Sequence, residues 1–365
     1  MPSDTSLLHF PVLAATYLHA RRRQAPDWTY RQASTNALMK IGLHKFAAHH
    51  VRPSLSLRPW REGKRFVLIE PADSEVYTGM AVDDEIQPET IGGTWYPKLF
   101  TPDTTIPDNQ HVVLHLHGGS FILGDGRTAS CGFLAKTFLR HTPAHSVFCP
   151  QYRLASSPEG RFPAQLQDTI SAYAYLVHSL RIPASRIILS GDSSGGNLVL
   201  GLLRYILDYD DLTILPVPKC NWVWSPWNNM PGSMDTATWN SNPNYKTECI
   251  PASFPAWGAK NVLGNLEITE EVEKYVTPIR YPFPLPSPIL IVAGGGEVLC
   301  QEHRDLAEVF RNVPQNESAV EIFVEDQVPH DILMIAWIMG FRKEARHCAE
   351  VAGEFVKRLP KAPEA

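Results

Sequence analysis

Gly191-Asp192-Ser193-Ser194-Gly195 is the stretch on which the reading of this chain turns. Its G-x-S-x-G spacing is a weak signal alone, and its neighbours make it informative. Ile187-Ile188-Leu189-Ser190 before it is apolar, as a buried strand requires, and Asn197-Leu198-Val199-Leu200-Gly201-Leu202-Leu203 after it reads as a buried helix. Strand, sharp turn and helix with a serine at the turn make a nucleophile elbow: backbone strain turns the hydroxyl outward, and glycines remove the Cβ atoms that would collide. Gly196 extends that side-chain-free surface. The competing reading is a plain strand-to-helix turn with an N-capping serine.

On either side, short apolar runs alternate with helical stretches. The predicted strands are Val112-Val113-Leu114-His115-Leu116, Ser146-Val147-Phe148-Cys149, Arg186-Ile187-Ile188-Leu189, Asn221-Trp222-Val223-Trp224, Ile289-Leu290-Ile291-Val292 and Val320-Glu321-Ile322-Phe323-Val324. Predicted helices include Ala164 to Leu180, Asn197 to Leu207 and His303 to Arg311. Nearly continuous apolar strands interleaved with helices indicate a parallel sheet covered on both faces. A strand-like run, Arg65-Phe66-Val67-Leu68-Ile69, follows an N-terminal segment of about 60 residues with helical spacing. Residues 225–288 break the alternation, being rich in Trp, Asn, Pro and Ser with no clear strand. An insertion leaving from Trp224 lies over the strand ends, where an open α/β sheet holds its ligand.

A length of 365 residues suits one large α/β unit or two domains, and 44 % hydrophobic with 19 % charged residues excludes wholesale disorder, collagen and coiled coil. Lys plus Arg is 33 against 38 for Asp plus Glu, a net charge of −5, and Arg21-Arg22-Arg23 is the only tight basic run, so no nucleic-acid partner is expected. Cys131, Cys149, Cys220, Cys249, Cys300 and Cys348 form no C-x-x-C pair and no zinc-spaced block. Reduced, buried thiols in a cytoplasmic protein, without a metal, are expected. The apolar run from Leu7 to Ala15 is too short to span a bilayer, and its basic cluster follows instead of preceding it. It is read as an amphipathic helix packed on the body, with a membrane-surface helix as the alternative.

Two further loops carry chemistry. His117-Gly118-Gly119-Ser120 follows a predicted strand, and acyl transfer places negative charge on a former carbonyl oxygen that backbone N–H groups can stabilise. Gly118, Gly119, Ser120 and Ser194 are the candidate oxyanion donors. A serine nucleophile needs a base, and the chain order serine, acid, histidine selects His330, reached from Val324 through Glu325-Asp326-Gln327-Val328-Pro329. His303 lies inside a predicted helix and His347 in the C-terminal one. The acid belongs on Ala293-Gly294-Gly295-Gly296-Glu297-Val298-Leu299, where Glu297 is the first carboxylate, with Glu302, Asp305 and Asp326 as rivals. Its task is to accept the Nδ1 proton of the histidine and stabilise the imidazolium. Trp227 and Phe121 are the candidate substrate contacts. With Trp222, Trp224, Trp239, Trp257 and Phe254 in or beside the insertion, they point to an apolar substrate, or to simple packing.

Together these segments resemble the hormone-sensitive-lipase-like branch of the α/β-hydrolase family, carboxylesterases carrying H-G-G-G and G-D-S-A-G-G. Gln151-Tyr152-Arg153-Leu154-Ala155, Arg161-Phe162-Pro163-Ala164 and Asp168 are similar to that branch's Y-R-L-A-P-E, F-P-A and D segment. Ser225-Pro226-Trp227 resembles its S-P-W element and residues 294–299 its acid loop. The resemblance implies an α/β-hydrolase fold with a mostly parallel eight-stranded sheet, helices on both faces and a helical cap. Residues 1–60 would form the N-terminal cap segment and 61–365 the catalytic domain, with 225–288 as cap insertion. Ser120 departs from the third glycine, Ser194 from alanine and Glu297 from the usual aspartate. No cofactor is implied, a small-molecule ester is the expected partner, and a homodimer is left open. The expected function is a serine carboxylic-ester hydrolase (esterase) acting through an acyl-enzyme on a small to medium hydrophobic ester. The alternatives are a tailoring hydrolase or cyclase for a polyketide-like ester, lactone or thioester, and a non-catalytic ligand-binding protein on a hydrolase scaffold.

Overall fold

Apolar runs pair where their hydrogen-bonding edges can be satisfied on both sides, and here they make one sheet. The computed structural model describes residues 15–53, 55–209 and 214–360. Its strands are β1 (Phe66–Ile69), β2 (Ile91–Tyr96), β3 (His111–Leu116), β4 (Ala144–Gln151), β5 (Ile187–Asp192), β6 (Cys220–Trp224), β7 (Ile289–Gly294) and β8 (Val320–Glu325). They lie in the order β1-β2-β4-β3-β5-β6-β7-β8. β2 runs antiparallel to β1 and β4, and every pairing from β4 across to β8 is parallel. β5, β6 and β7 are buried throughout, whereas β8 at the edge is largely half-buried.

Strand alternation sends neighbouring side chains to opposite faces. Phe148 on β4 meets Tyr175, which continues the helix Ala164–Ala174, while His115 and Trp222 meet Phe138 of the helix Thr128–His141. Helices therefore cover both faces. Ala164–Ala174 packs on Ser194–Tyr209, and Thr128–His141 on Arg342–Arg358.

β2, which carries Gly92-Gly93 near its start, lies outside the runs predicted above, since glycine weakens a strand signal. In the sheet both glycines accept aromatic rings. A Cβ at Gly92 would stand 2.2 Å from the Phe66 ring, and one at Gly93 2.3 Å from the Phe148 ring.

Residues 225–288 contain the helices Thr236–Ser241, Ser253–Leu263 and Glu270–Val276 and, among their described elements, no strand. The helix Tyr30–Ala48, opened by a capping box of Thr29 and Gln32, packs against this segment. Phe46 meets the rings of Phe254 and Trp257 at 6.0 and 5.7 Å, and Asn36 donates to the Thr247 carbonyl. Arg23 donates to the carbonyls of Tyr17 and Trp28. The run from Leu7 onward lies, up to residue 14, outside the described residues. All six cysteines are buried and unpaired, and among the described residues no helix is long and apolar enough to cross a membrane.

Candidate active site

Parallel pairing sets Leu116 of β3 beside Gly191 of β5, so the two glycine loops leave the sheet side by side. At the end of β5 the chain turns sharply through Ser193, whose φ of +52° is in the left-handed region that L-residues avoid. Two backbone bonds pin it: the Ser193 N–H donates to the Trp224 carbonyl at 2.8 Å, and its carbonyl accepts the Trp227 N–H at 2.9 Å. Gly195 has no alternative residue, since a Cβ there would lie 1.9 Å from the Leu116 carbonyl oxygen.

His330 and Glu297 come from the loops after β8 and β7. His330 Nε2 is 2.8 Å from Ser193 Oγ, and Nδ1 is 2.7 Å from Glu297 Oε2. Glu297 is fully buried, and only 6 % of Ser193 and 3 % of His330 is exposed. Glu297 Oε1 accepts from Ser225 Oγ at 3.0 Å and from the Gly294 N–H. Burial favours the neutral carboxyl, but the imidazoles of His303 and His330 outweigh it and hold Glu297 below the ordinary carboxylate range. For His330 burial works downward, and the hydrogen bond and charge of the Glu297 carboxylate reverse it and raise the imidazole above its ordinary value.

The rival groups lie elsewhere. Asp305 accepts from Gln301, Asp326 is exposed, and His347 pairs with Glu325. Glu302 follows Glu297 in the helix Cys300–Arg311, where burial pushes its carboxyl up to about 7. His303 is fully buried against Glu297, with Nδ1 3.4 Å from Oε1.

The candidate oxyanion donors are not equivalent. The Gly118 N–H is occupied, donating to Asp192 Oδ2 at 2.9 Å, which corrects its expected role as a donor. Among the described residues the N–H groups of Gly119, Ser120 and Ser194 meet no protein acceptor. Positive φ at Gly119, Ser120 and Phe121 (114°, 52° and 61°) curls this loop. Asp192 Oδ1 lies 2.9 Å from His115 Nε2, His115 Nδ1 lies 2.9 Å from Ser190 Oγ, and Trp224 Nε1 donates to Ser190. Burial lowers His115 to about 3, so it is neutral and bonds as Nε2–H to Asp192, with Nδ1 accepting from Ser190. Asp331, buried near Asp192, is pushed well above the carboxylate range by burial and then by the Asp192 charge. Neither this network nor His303 carries a spacing signal, because both depend on which strand ends meet.

Phe121 and Trp227 are both buried, with ring centroids 6.1 Å apart. Phe121 lines a small apolar cavity with Phe162, Leu198, Met230, Val262 and Tyr275. The Trp227 indole donates to Ser233. Trp222 and Trp224 pack against Phe138 on the sheet face away from that cavity, and Trp257 lines a separate cavity of about 780 Å³ whose walls do not include Ser193. No group of described residues is arranged to hold a metal ion.

A family model described as the alpha/beta hydrolase fold matches residues 113–334, spanning both glycine loops, Glu297 and His330. The chain belongs to the α/β-hydrolase family. An acetyl-hydrolase of Streptomyces hygroscopicus is 26 % identical over 257 residues, 67 % of this chain and 75 % of that protein. Human arylacetamide deacetylase-like 2 is 29 % identical over 114 residues, 30 % of this chain and only 28 % of that protein. Among solved α/β-hydrolases, a hyperthermophilic esterase from the archaeon Pyrobaculum calidifontis superposes with a TM-score of 0.62 at 17 % identity, covering 99 % of this chain and 100 % of its own. An esterase of the bacterial hormone-sensitive lipase family shares the fold with a TM-score of 0.57 at 22 % identity, covering 98 % and 99 %. The hormone-sensitive-lipase-like branch that the motifs resemble is thus the branch of a hydrolase with the same fold.

Proposed function

We propose that this α/β-hydrolase is a serine carboxylic-ester hydrolase working through an acyl-enzyme. One observation carries the reading: a single buried imidazole bridges Ser193 Oγ at 2.8 Å and Glu297 Oε2 at 2.7 Å. Ser193 Oγ attacks the acyl carbonyl while His330 Nε2 takes its proton, and Glu297 accepts a hydrogen bond from Nδ1–H and stabilises the imidazolium. The oxyanion is held by the unoccupied N–H groups of Gly119, Ser120 and Ser194. Collapse expels the alcohol with the proton from His330, and water then repeats the sequence on the acyl-enzyme.

The acyl group we assign is short and apolar. Two relatives named acetyl-hydrolase and arylacetamide deacetylase-like support this. The described part of residues 1–60 acts with 225–288 as a cap on the catalytic domain, supported by the packing of Phe46 on Phe254 and Trp257. Six buried unpaired thiols support a cytoplasmic setting.

The test is labelling with a fluorophosphonate, whose phosphorus is attacked by an activated serine with loss of fluoride, followed by mapping of the modified residue. Modification of Ser193 is expected, and a protein that only binds ligands stays unlabelled. Ser193→Ala should keep the fold and lose about six orders of magnitude in kcat. Undiminished turnover of aryl esters by that variant ends the reading.

A further inference from the structure

The acid of this site has a second imidazole beside it that the reaction as written does not use. His303, in the first turn of Cys300–Arg311, is fully buried, with Nδ1 3.4 Å from Glu297 Oε1 and Nε2 3.0 Å from the Pro226 carbonyl oxygen. Both neighbours accept hydrogen bonds. Either neutral tautomer satisfies one and turns a lone pair on the other; only the ring protonated at both nitrogens suits both. Nδ1 makes no aligned hydrogen bond, and at 3.4 Å from Glu297 Oε1 it lies within reach of charge pairing for a protonated ring.

Glu297 divides its oxygens. Oε2 faces His330, while Ser225 Oγ, the Gly294 N–H and His303 gather on Oε1. The surroundings are rich in carboxyl groups. Glu302 stands on the same helix with Asp305 beyond it, Glu248 faces the pair from the segment after Tyr245, and Asp331 and Asp192 lie on the far side of His330. Two cations stand nearby: Lys40 faces Glu248, and Arg304 faces Cys300. A buried carboxylate in such company calls for a buried partner charge.

We propose that His303 is a positioning residue for the ester hydrolysis described above, on which reading it rests: from Oε1 it keeps Oε2 turned to His330 and shares charge that would otherwise fall on His330 alone. Glutamate has several rotamers in which neither oxygen reaches His330, and a grip on Oε1 removes them.

The experiment follows the rate of fluorophosphonate labelling of Ser193 against pH in the wild type, His303→Gln and His303→Leu, with thermal melting to confirm folding. Losing the His303 charge leaves His330 facing the whole carboxylate, so the acid limb of the profile should move upward by about one pH unit. A merely structural role slows labelling at every pH without moving the limb, and an unmoved or lowered limb overturns the proposal while leaving the hydrolase reading intact. Absence of labelling at Ser193 in the wild type overturns both. Should neither variant fold, side-chain nitrogen NMR of the wild type decides: a proton on His303 Nδ1, the nitrogen that faces Glu297, is expected, and a bare Nδ1 overturns the proposal.

Discussion

At the ends of β3 and β5 the site is built from backbone, whereas at the ends of β7 and β8 it is built from side chains. On the first side, Gly195 lies against the Leu116 carbonyl, the Gly118 N–H is tied to Asp192, and Gly119, Ser120, Phe121 and Ser193 all sit at positive φ. On the second side, His330 is aimed by Glu297, and Glu297 by Ser225, Gly294 and the neighbouring His303. Steric packing is short-ranged and indifferent to pH, while charged hydrogen bonds weaken in steps and titrate. The nucleophile side should therefore fail all at once when an atom is added, and the base side should decline by degrees.

Gly195→Ala tests the first half and carries the largest expected effect. With the new Cβ 1.9 Å from a main-chain oxygen, the elbow and β3 must separate, and overpacking of this kind costs about 1–3 kcal/mol or more even where neighbours can yield. We expect a strong drop in melting temperature and no labelling of Ser193. A variant that melts with the wild type would show that the elbow has slack. Glu297→Gln tests the second half and should be milder. It keeps the shape and removes the charge, so the fold should survive while kcat falls by about 10⁴. Loss of folding in Glu297→Gln, or full activity, would erase the distinction between the halves.

The same contrast explains what could be read from the sequence. The meeting of Ser193, His330 and Glu297 could be anticipated because each stands just past an apolar strand, in a chain order that the sheet topology dictates. Gly118 was readable as part of a glycine loop, but whether its N–H is free depends on Asp192, which only the register between Leu116 and Gly191 brings within reach. His303 read as a helix residue because nothing in its spacing from Glu297 reveals that the first turn of Cys300–Arg311 folds back on the acid. Trp222 and Trp224 stood next to an aromatic insertion in sequence, yet strand alternation turns both toward Phe138. Local patterning reports elements and their ends, while pairings across the sheet depend on register.

The smallest effect sought is a displacement along the pH axis, and it belongs to the base side. His330 can accept the Ser193 proton only when neutral. Burial disfavours its charged form, but the Glu297 carboxylate outweighs burial and raises the imidazole above its ordinary 6.5. The neutral form therefore becomes dominant only at higher pH, so kcat/KM for an aryl ester should rise through a limb whose midpoint lies above 6.5, and should fall as the solution is acidified through it. Glu297→Gln leaves the burial and removes the charge that opposes it, so its residual activity should show that midpoint carried downward. Coincident midpoints in the two proteins, or a wild-type midpoint at or below 6.5, would mean that the carboxylate orients His330 without holding its proton.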